Sequence, residues 1–265
     1  MDKEMTYTLI TGGSRGIGNA LAWECASRGM NLLLVAKQGD GLKSAVRELK
    51  EKSRVDVKGF QVDLRDLDGP QRVLDWCSEN RYRVDILINN AGVAGTADFA
   101  TSPPAYSDER ILVNIRALVM LTRLFLPELQ THSKAHILNI GSLSAYYPLP
   151  YKSVYAASKA FVVSVSRAIN EELKASSVRI TVVNPNGVKT NADTFKRIDS
   201  HSRLSKFLFI MDAKEIARIS IDKMLKGKLV VIPGFMNRML ILVSYLIPKR
   251  IKERRSAKIF GKEIL

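Results

Sequence analysis

The chain reads as a single α/β domain, a doubly wound parallel sheet with helices on both faces. Three observations carry that reading. Short β-rich runs alternate with helix-length segments between residues 7 and 183. The runs are apolar throughout, as strands covered on both faces must be. The first of them leads directly into a glycine-rich loop and then a helix.

The elements follow in order. Strand Tyr7–Ile10 precedes the glycine loop and a helix over Ile17–Arg28, in which apolar residues recur at three- and four-residue spacing. Strand Asn31–Val35 is followed by helix Gly41–Lys52, and strand Val57–Val62 by helix Leu67–Asn80. Strand Val84–Ile88 leads to a long helical segment, Tyr106–Leu129, and strand Ala135–Ile140 to helix Val154–Ala175. Val178–Val183 is the sixth strand, and the regularity ends after Thr190. Residues 191–211 are irregular and basic, and such a variable loop is where specificity resides in this type of fold. Asp212 caps a helix running to Lys226, and Leu229–Ile232 is a short last strand before Pro233 and Gly234. Residues 235–265 form a C-terminal extension, apolar as far as Ile247 and strongly basic beyond it. No repeat or low-complexity linker interrupts residues 1–265, which read as one domain.

At 265 residues, 46% hydrophobic and 25% charged, the chain has material for one sizeable core. It is neither disordered nor collagenous in composition. Cys25 and Cys77 lie unpaired in helical stretches, so reduced buried thiols and a cytoplasmic setting are expected. Met1–Thr6 lacks the apolar run of a secretory signal. The basic charge is regional. Residues 1–188 hold 23 Lys and Arg against 19 Asp and Glu, whereas residues 189–265 hold 18 against 7. No nucleic-acid-reading module accompanies that excess, so nucleic acid is not an expected partner. An anionic membrane surface is compatible with it. No metal site is expected.

The first loop is Thr11-Gly12-Gly13-Ser14-Arg15-Gly16-Ile17-Gly18. Its glycines permit a tight turn, close approach to a pyrophosphate and close helix packing. The helix N-terminus adds N–H donors, which together make the Rossmann-type dinucleotide signature. The second strand ends Val35-Ala36-Lys37-Gln38 without the carboxylate that binds a ribose 2′-hydroxyl. Lys37 and Arg15 favour a 2′-phosphate instead, and so NADP.

Tyr155 and Lys159 stand four residues apart at the start of a helix that Ser153 is placed to cap, so both side chains share a face. A phenol titrates near 10, and a neighbouring ammonium favours the phenolate and so proton exchange with an alcohol near neutral pH. Tyr245 and Lys249 share the spacing, but Pro248 breaks the intervening turn. Tyr146, Tyr147 and Tyr151 lack such a lysine and are read as pocket walls.

With these residues, the chain from about 5 to 190 resembles the short-chain dehydrogenases/reductases of the Tyr-xxx-Lys branch. The resemblance extends to Asp63 in Val62-Asp63-Leu64, to Asn89-Asn90-Ala91-Gly92, to Asn114 and to Ser142 in Asn139-Ile140-Gly141-Ser142. It implies an NADP-dependent carbonyl reductase. Ser142 would hold the substrate oxygen, Tyr155 donate the proton, Lys159 lower the tyrosine pKa and bind the nicotinamide ribose, and Asn114 fix a relay water. Ser144 competes with Ser142, and the spacing to the tyrosine in that family selects Ser142. The resemblance assigns Thr11, Gly12, Ser14, Arg15, Gly16, Ile17, Gly18, Lys37, Asp63, Leu64, Asn90, Ala91, Gly92, Val188 and Thr190 to the cofactor, together with Tyr155 and Lys159. Asp63 is the adenine contact.

The chain departs from the pattern in two places. Asn186 stands in Pro185-Asn186-Gly187 where glycine is common, and asparagine tolerates a left-handed turn. The Val-Asp-Gly-Gly signature of tetrameric ketoacyl reductases is missing, so a homodimer or other homo-oligomer is expected instead of that tetramer. A bulky or lipophilic carbonyl substrate is expected, with a 3-oxoacyl thioester as the alternative and a non-catalytic NADP-binding scaffold as the alternative of another class. Met239–Ile247 is nine uncharged residues, too few to span a bilayer, and suits an interfacial anchor, a lid or a subunit contact.

Overall fold

The computed structural model describes residues 5–37, 39, 41–189 and 210–261. Thr190 and residues 191–209, most of the substrate-loop region, lie outside the described residues, as does Gln38.

Strands β1 (Thr6–Thr11), β2 (Asn31–Ala36), β3 (Val57–Gln61), β4 (Arg83–Asn89), β5 (Ala135–Ile140) and β6 (Val178–Val183) alternate with helices. These are α1 (Gly16–Ser27), α2 (Leu42–Lys52), α3 (Gly69–Glu79), α4 (Pro104–Ile111), α5 (Leu118–Thr131) and α6 (Ser153–Glu172). Beyond them come β7 (Val188–Lys189), β8 (Met211–Asp212), α7 (Ala213–Leu225), β9 (Val230–Val231), α8 (Phe235–Leu246) and α9 (Lys249–Gly261). Seven strands form one sheet in the order β3-β2-β1-β4-β5-β6-β9, all pairs parallel. β7 and β8 make a separate two-stranded ribbon.

Successive residues of a strand point to opposite faces, and here each face meets its own helical layer. Leu32 and Leu34 of β2 enter a core with Leu21, Ile221 and Met224. Leu33 and Val35 enter the opposite core with Phe125, Leu129 and Ile180. That division is why the strands carry no polar alternation. Cys25 and Cys77 sit one in each layer, buried and unpaired, and burial pushes both thiols up to about 12.

Expected boundaries agree to within about two residues for most elements, and four differences have local causes. The segment read as one helix over Tyr106–Leu129 is α4 and α5 joined by a π-helical stretch, Leu112–Ala117, that changes the winding around Asn114. Ser153 does not cap α6. Lys152 occupies the cap position and Ser153 is already the first, exposed helical residue. The last strand shortens to Val230–Val231, which pairs with Val182 and Val183 at the end of β6. Asn186 is not left-handed, since the only described non-glycine residues with positive φ are Arg81 and Tyr151. Its side chain instead donates to Asn237 Oδ1 at 3.0 Å, so its role is to tie the turn after β6 to α8. Asp212 does cap α7, accepting from Lys214 N at 2.7 Å.

β1 lies beside β4, with β2 and β3 on one side and β5, β6 and β9 on the other. The chain direction therefore splits between β1 and β4, and the crevice at the carboxyl ends of those strands is where such sheets bind ligands.

Candidate active site

The glycine loop crosses that crevice. Gly12 has φ +65°, a left-handed conformation that a side chain resists. Gly18, in the first turn of α1, packs against the loop so closely that a Cβ there would lie 2.1 Å from Gly12 O and 2.4 Å from Asn90 Nδ2. Gly16, Ile17 and Gly18 open α1, and its first N–H groups face out of the loop unpaired within the helix. The loop is held from the β4 side. Asn90 Nδ2 donates to Thr11 O (2.9 Å) and Gly12 O (3.2 Å), while Thr11 Oγ1 accepts from the amides of Asn90 and Ala91, both at 3.0 Å. The side chains of Thr11 and Asn90 thus fasten two strand ends together.

Ser14 is half-buried in the loop, and Arg15 is exposed at the cap of α1. Lys37 is exposed just past β2. Asp63 follows β3, its carboxylate gripped by Arg65 through Nε at 2.9 Å and Nη2 at 2.5 Å. The Arg65 bond, helped by the charge of Lys37, holds the Asp63 carboxyl below its ordinary range. Leu64 is buried behind it, and Val188 is buried at the start of β7.

A second cluster forms where β5 ends. Lys159, only 6% exposed, donates from Nζ to Ile140 O at 2.8 Å, and burial lowers its pKa to about 8. Two residues beyond Ile140, Ser142 caps a 3₁₀ turn (Leu143–Tyr146) by accepting from Ser144 N at 3.1 Å. Ser144 Oγ is buried and has no partner among the described residues. Tyr155 lies one turn before Lys159 in α6 and lines a small cleft together with Tyr106, Arg110 and Tyr151. Tyr151 lines that cleft, whereas Tyr146 Oη accepts from Asn184 Nδ2 at 3.2 Å.

Asn114 sits in the π-helical stretch, a winding enriched at functional sites. Its Oδ1 accepts from Val93 N at 2.7 Å, and its Nδ2 donates to Val93 O and Ser158 Oγ, both at 3.0 Å. Gly92 marks the meeting point, because a Cβ built there would lie 3.3 Å from Asn114 Oδ1 and 3.4 Å from Lys159 Nζ. Gly92 therefore lies directly against both polar groups, where a side chain would be crowded. The glycine loop fastened to Asn90, the open helix N-terminus and the buried ammonium fit a dinucleotide.

Three supporting residues escaped the sequence reading. Ser158, fully buried, joins Asn114 to Tyr155 O, to which its hydroxyl donates at 2.7 Å. Asn184 accepts from Ser142 N at 3.2 Å. Asn139 accepts from Asn89 Nδ2 at 2.9 Å and donates to Ser166 Oγ at 2.9 Å. The available signal was an asparagine closing or interrupting an otherwise apolar strand, which a buried sheet tolerates only with partners.

Residues 6–200 match the family model of the short chain dehydrogenases. Over 195 residues the chain is 34% identical to the very-long-chain 3-oxoacyl-CoA reductase of Bos taurus, covering 72% of this chain and 62% of that protein. The chain spans about three fifths of the length of such curated relatives. Among solved structures it is similar to the bulky-bulky ketone specific alcohol dehydrogenase of Comamonas testosteroni, with 26% identity, a TM-score of 0.77 and 92% of each chain covered. It is also similar to a short-chain dehydrogenase of Sphingobium yanoikuyae in complex with NADPH, with 29% identity, a TM-score of 0.77, and 91% of this chain and 93% of that one covered.

Proposed function

The chain belongs to the short-chain dehydrogenase family, and on that premise we propose that it is an NADP-dependent carbonyl reductase of bulky or lipophilic ketones or aldehydes. The observation that carries the reading is the buried Lys159 ammonium, one helical turn from Tyr155 and packed beside Gly92 together with Asn114. When bound, the nicotinamide cofactor supplies or accepts the hydride. Tyr155 gives a proton to the substrate oxygen, Ser142 holds that oxygen, and Lys159 favours the phenolate by its charge. Asn114 ties the Val93 backbone to Ser158 and would fix the relay water near Lys159. Asp63 would contact the adenine and Val188 the carboxamide, with Leu64, Asn90, Ala91 and Gly92 lining the cofactor site; Thr190 lies outside the described residues.

NADP over NAD is supported by Lys37 and Arg15 at the end of β2 and the cap of α1, where the chain has no carboxylate for a ribose 2′-hydroxyl. The NADPH complex of the Sphingobium relative agrees with that preference. The Comamonas relative supports a bulky ketone. The bovine relative favours a 3-oxoacyl thioester as a second reading. Self-association, and membrane contact through the basic C-terminal tail, complete the proposal, with residues 1–265 acting as one catalytic domain.

Tyr155→Phe tests the mechanism, because it removes the proton donor and keeps the ring. Ketone-dependent NADPH oxidation should fall by about 10²-fold or more, with NADPH binding by fluorescence titration unchanged. Retained turnover would exclude Tyr155 as the proton donor.

A further inference from the structure

Helix α8 is built inside out. Its buried residues are Asn237, Ile241 and Ser244, two of them polar. Asn237 is satisfied inward, accepting from Asn186 and donating from Nδ2 to Pro233 O at 3.0 Å, and Ser244 donates to Ile241 O at 2.7 Å. The outward face is apolar. Phe235, Leu242, Tyr245 and Leu246 are 71, 62, 68 and 83% exposed, Met239 and Val243 lie beside them, and Arg238 is the only charge among the helix's exposed positions. Water-facing helices carry the opposite pattern. At 12 residues α8 is about 18 Å long. No described helix is long and apolar enough to cross a membrane.

Helix α9 follows at once. Over Lys249–Gly261 it carries six Lys and Arg against the single Glu253, and none of its residues is buried. Lys252 Nζ donates to Ser244 O at 2.7 Å, which links the two helices. At its far end α9 reaches the cleft rim. Phe260 lies under Lys152 at 4.5 Å, and a Cβ on Gly261 would lie 3.2 Å from the Tyr151 ring. Tyr151 and Lys152 line the same cleft as Tyr155.

We propose that α8 and α9 form an in-plane docking surface for an anionic phospholipid bilayer, with the outer face of α8 in the interface, the cations of α9 on the headgroups and the cleft rim at Tyr151 and Lys152 seated on the membrane. Charge complementarity selects this occupant. A second copy applied to the same face would set one cationic α9 against another, whereas anionic headgroups complement both. A cleft rim at the interface admits a lipophilic carbonyl compound directly from the lipid. Only that last consequence rests on the proposed reductase activity.

Sedimentation of the full chain with vesicles measures docking without turnover. Binding is expected to vesicles of mixed phosphatidylcholine and phosphatidylglycerol and to be at least tenfold weaker to phosphatidylcholine alone. It should fall steeply as salt shortens the screening length from about 10 Å to about 3 Å. Arg254→Gln with Arg255→Gln should weaken partitioning about 25-fold, at about fivefold per basic residue. Leu242→Glu with Leu246→Glu should weaken it at least tenfold while leaving circular dichroism and NADPH binding unchanged. Equal, negligible sedimentation with both vesicle types overturns the proposal. So does a wild-type dimer that the two glutamates convert to monomer, since a second copy would then be the occupant. Lost turnover with retained vesicle binding would instead count against the reductase reading alone.

Discussion

Replacing Lys159 with Met should change the pH dependence of stability in a direction opposite to that of an ordinary surface lysine. Burial lowers the folded-state pKa of Lys159 from its ordinary 10.5 to about 8. Because the folded value lies below the unfolded one, the unfolded chain binds more protons between the two, and stability rises with pH there. The contribution is complete above 10.5 and is lost as pH falls through 8. For one group with these two values, linkage makes the difference between pH 7 and pH 10 about 2.5 kcal/mol. Tyr7, Cys25 and Cys77, all shifted upward, pull the other way in the same window. The informative quantity is therefore the difference between wild type and Lys159→Met, in which those groups cancel. Urea titrations of cofactor-free protein at pH 7, 8, 9 and 10 should show wild type gaining on the variant by about 2.5 kcal/mol across the series. The variant should lack reductase activity at every pH. A difference that stays flat to within about 0.5 kcal/mol would mean that Lys159 titrates as a hydrated amine, and the argument for a desolvated ammonium beside Tyr155 would fail.

The remaining predictions concern the cofactor cradle. Lys37→Asp should shift the preference from NADP toward NAD by about tenfold or more, because it removes a charge-assisted contact of roughly 1.5–3 kcal/mol and adds repulsion; kcat/KM ratios for the two cofactors measure it, and equal use of both by the wild type would refute the assignment. Gly18→Ala places a Cβ 2.1 Å from Gly12 O and 2.4 Å from Asn90 Nδ2. It should cost roughly 1–3 kcal/mol of stability and at least tenfold in NADPH affinity, read by thermal unfolding and fluorescence titration.

Much of the site was legible along the chain because its chemistry depends on local spacing. Tyr155 and Lys159 face one way because helical residues four apart do so in any helix. The loop from Thr11 to Gly18 announced itself because left-handed turns and close approach select glycine. One misreading came where a distant part of the chain supplies the partner. Asn186 was read as a turn former, yet its amide bonds to Asn237, 51 residues away. A second was local, for Ser153 looked like a cap, yet α6 begins at Ser153 itself with Lys152 in the cap position.

By itself, then, the amino-acid sequence determined the alternation of strands and helices, the apolar two-faced sheet and the order of its motifs, since each rests on hydrophobic period and turn chemistry within a few residues. The tertiary structure alone decided which polar groups meet. Lys159 becomes a weakened base because β5 and α6 bury it against Ile140 O, and Gly92 becomes a meeting point because Asn114 and Lys159 arrive there from two different helical segments. Tertiary packing also turned α8 over. Its buried face holds Asn237, Ile241 and Ser244, and the bonds of Asn237 to Asn186 and Pro233 set that polar side against the protein and leave the apolar side outside.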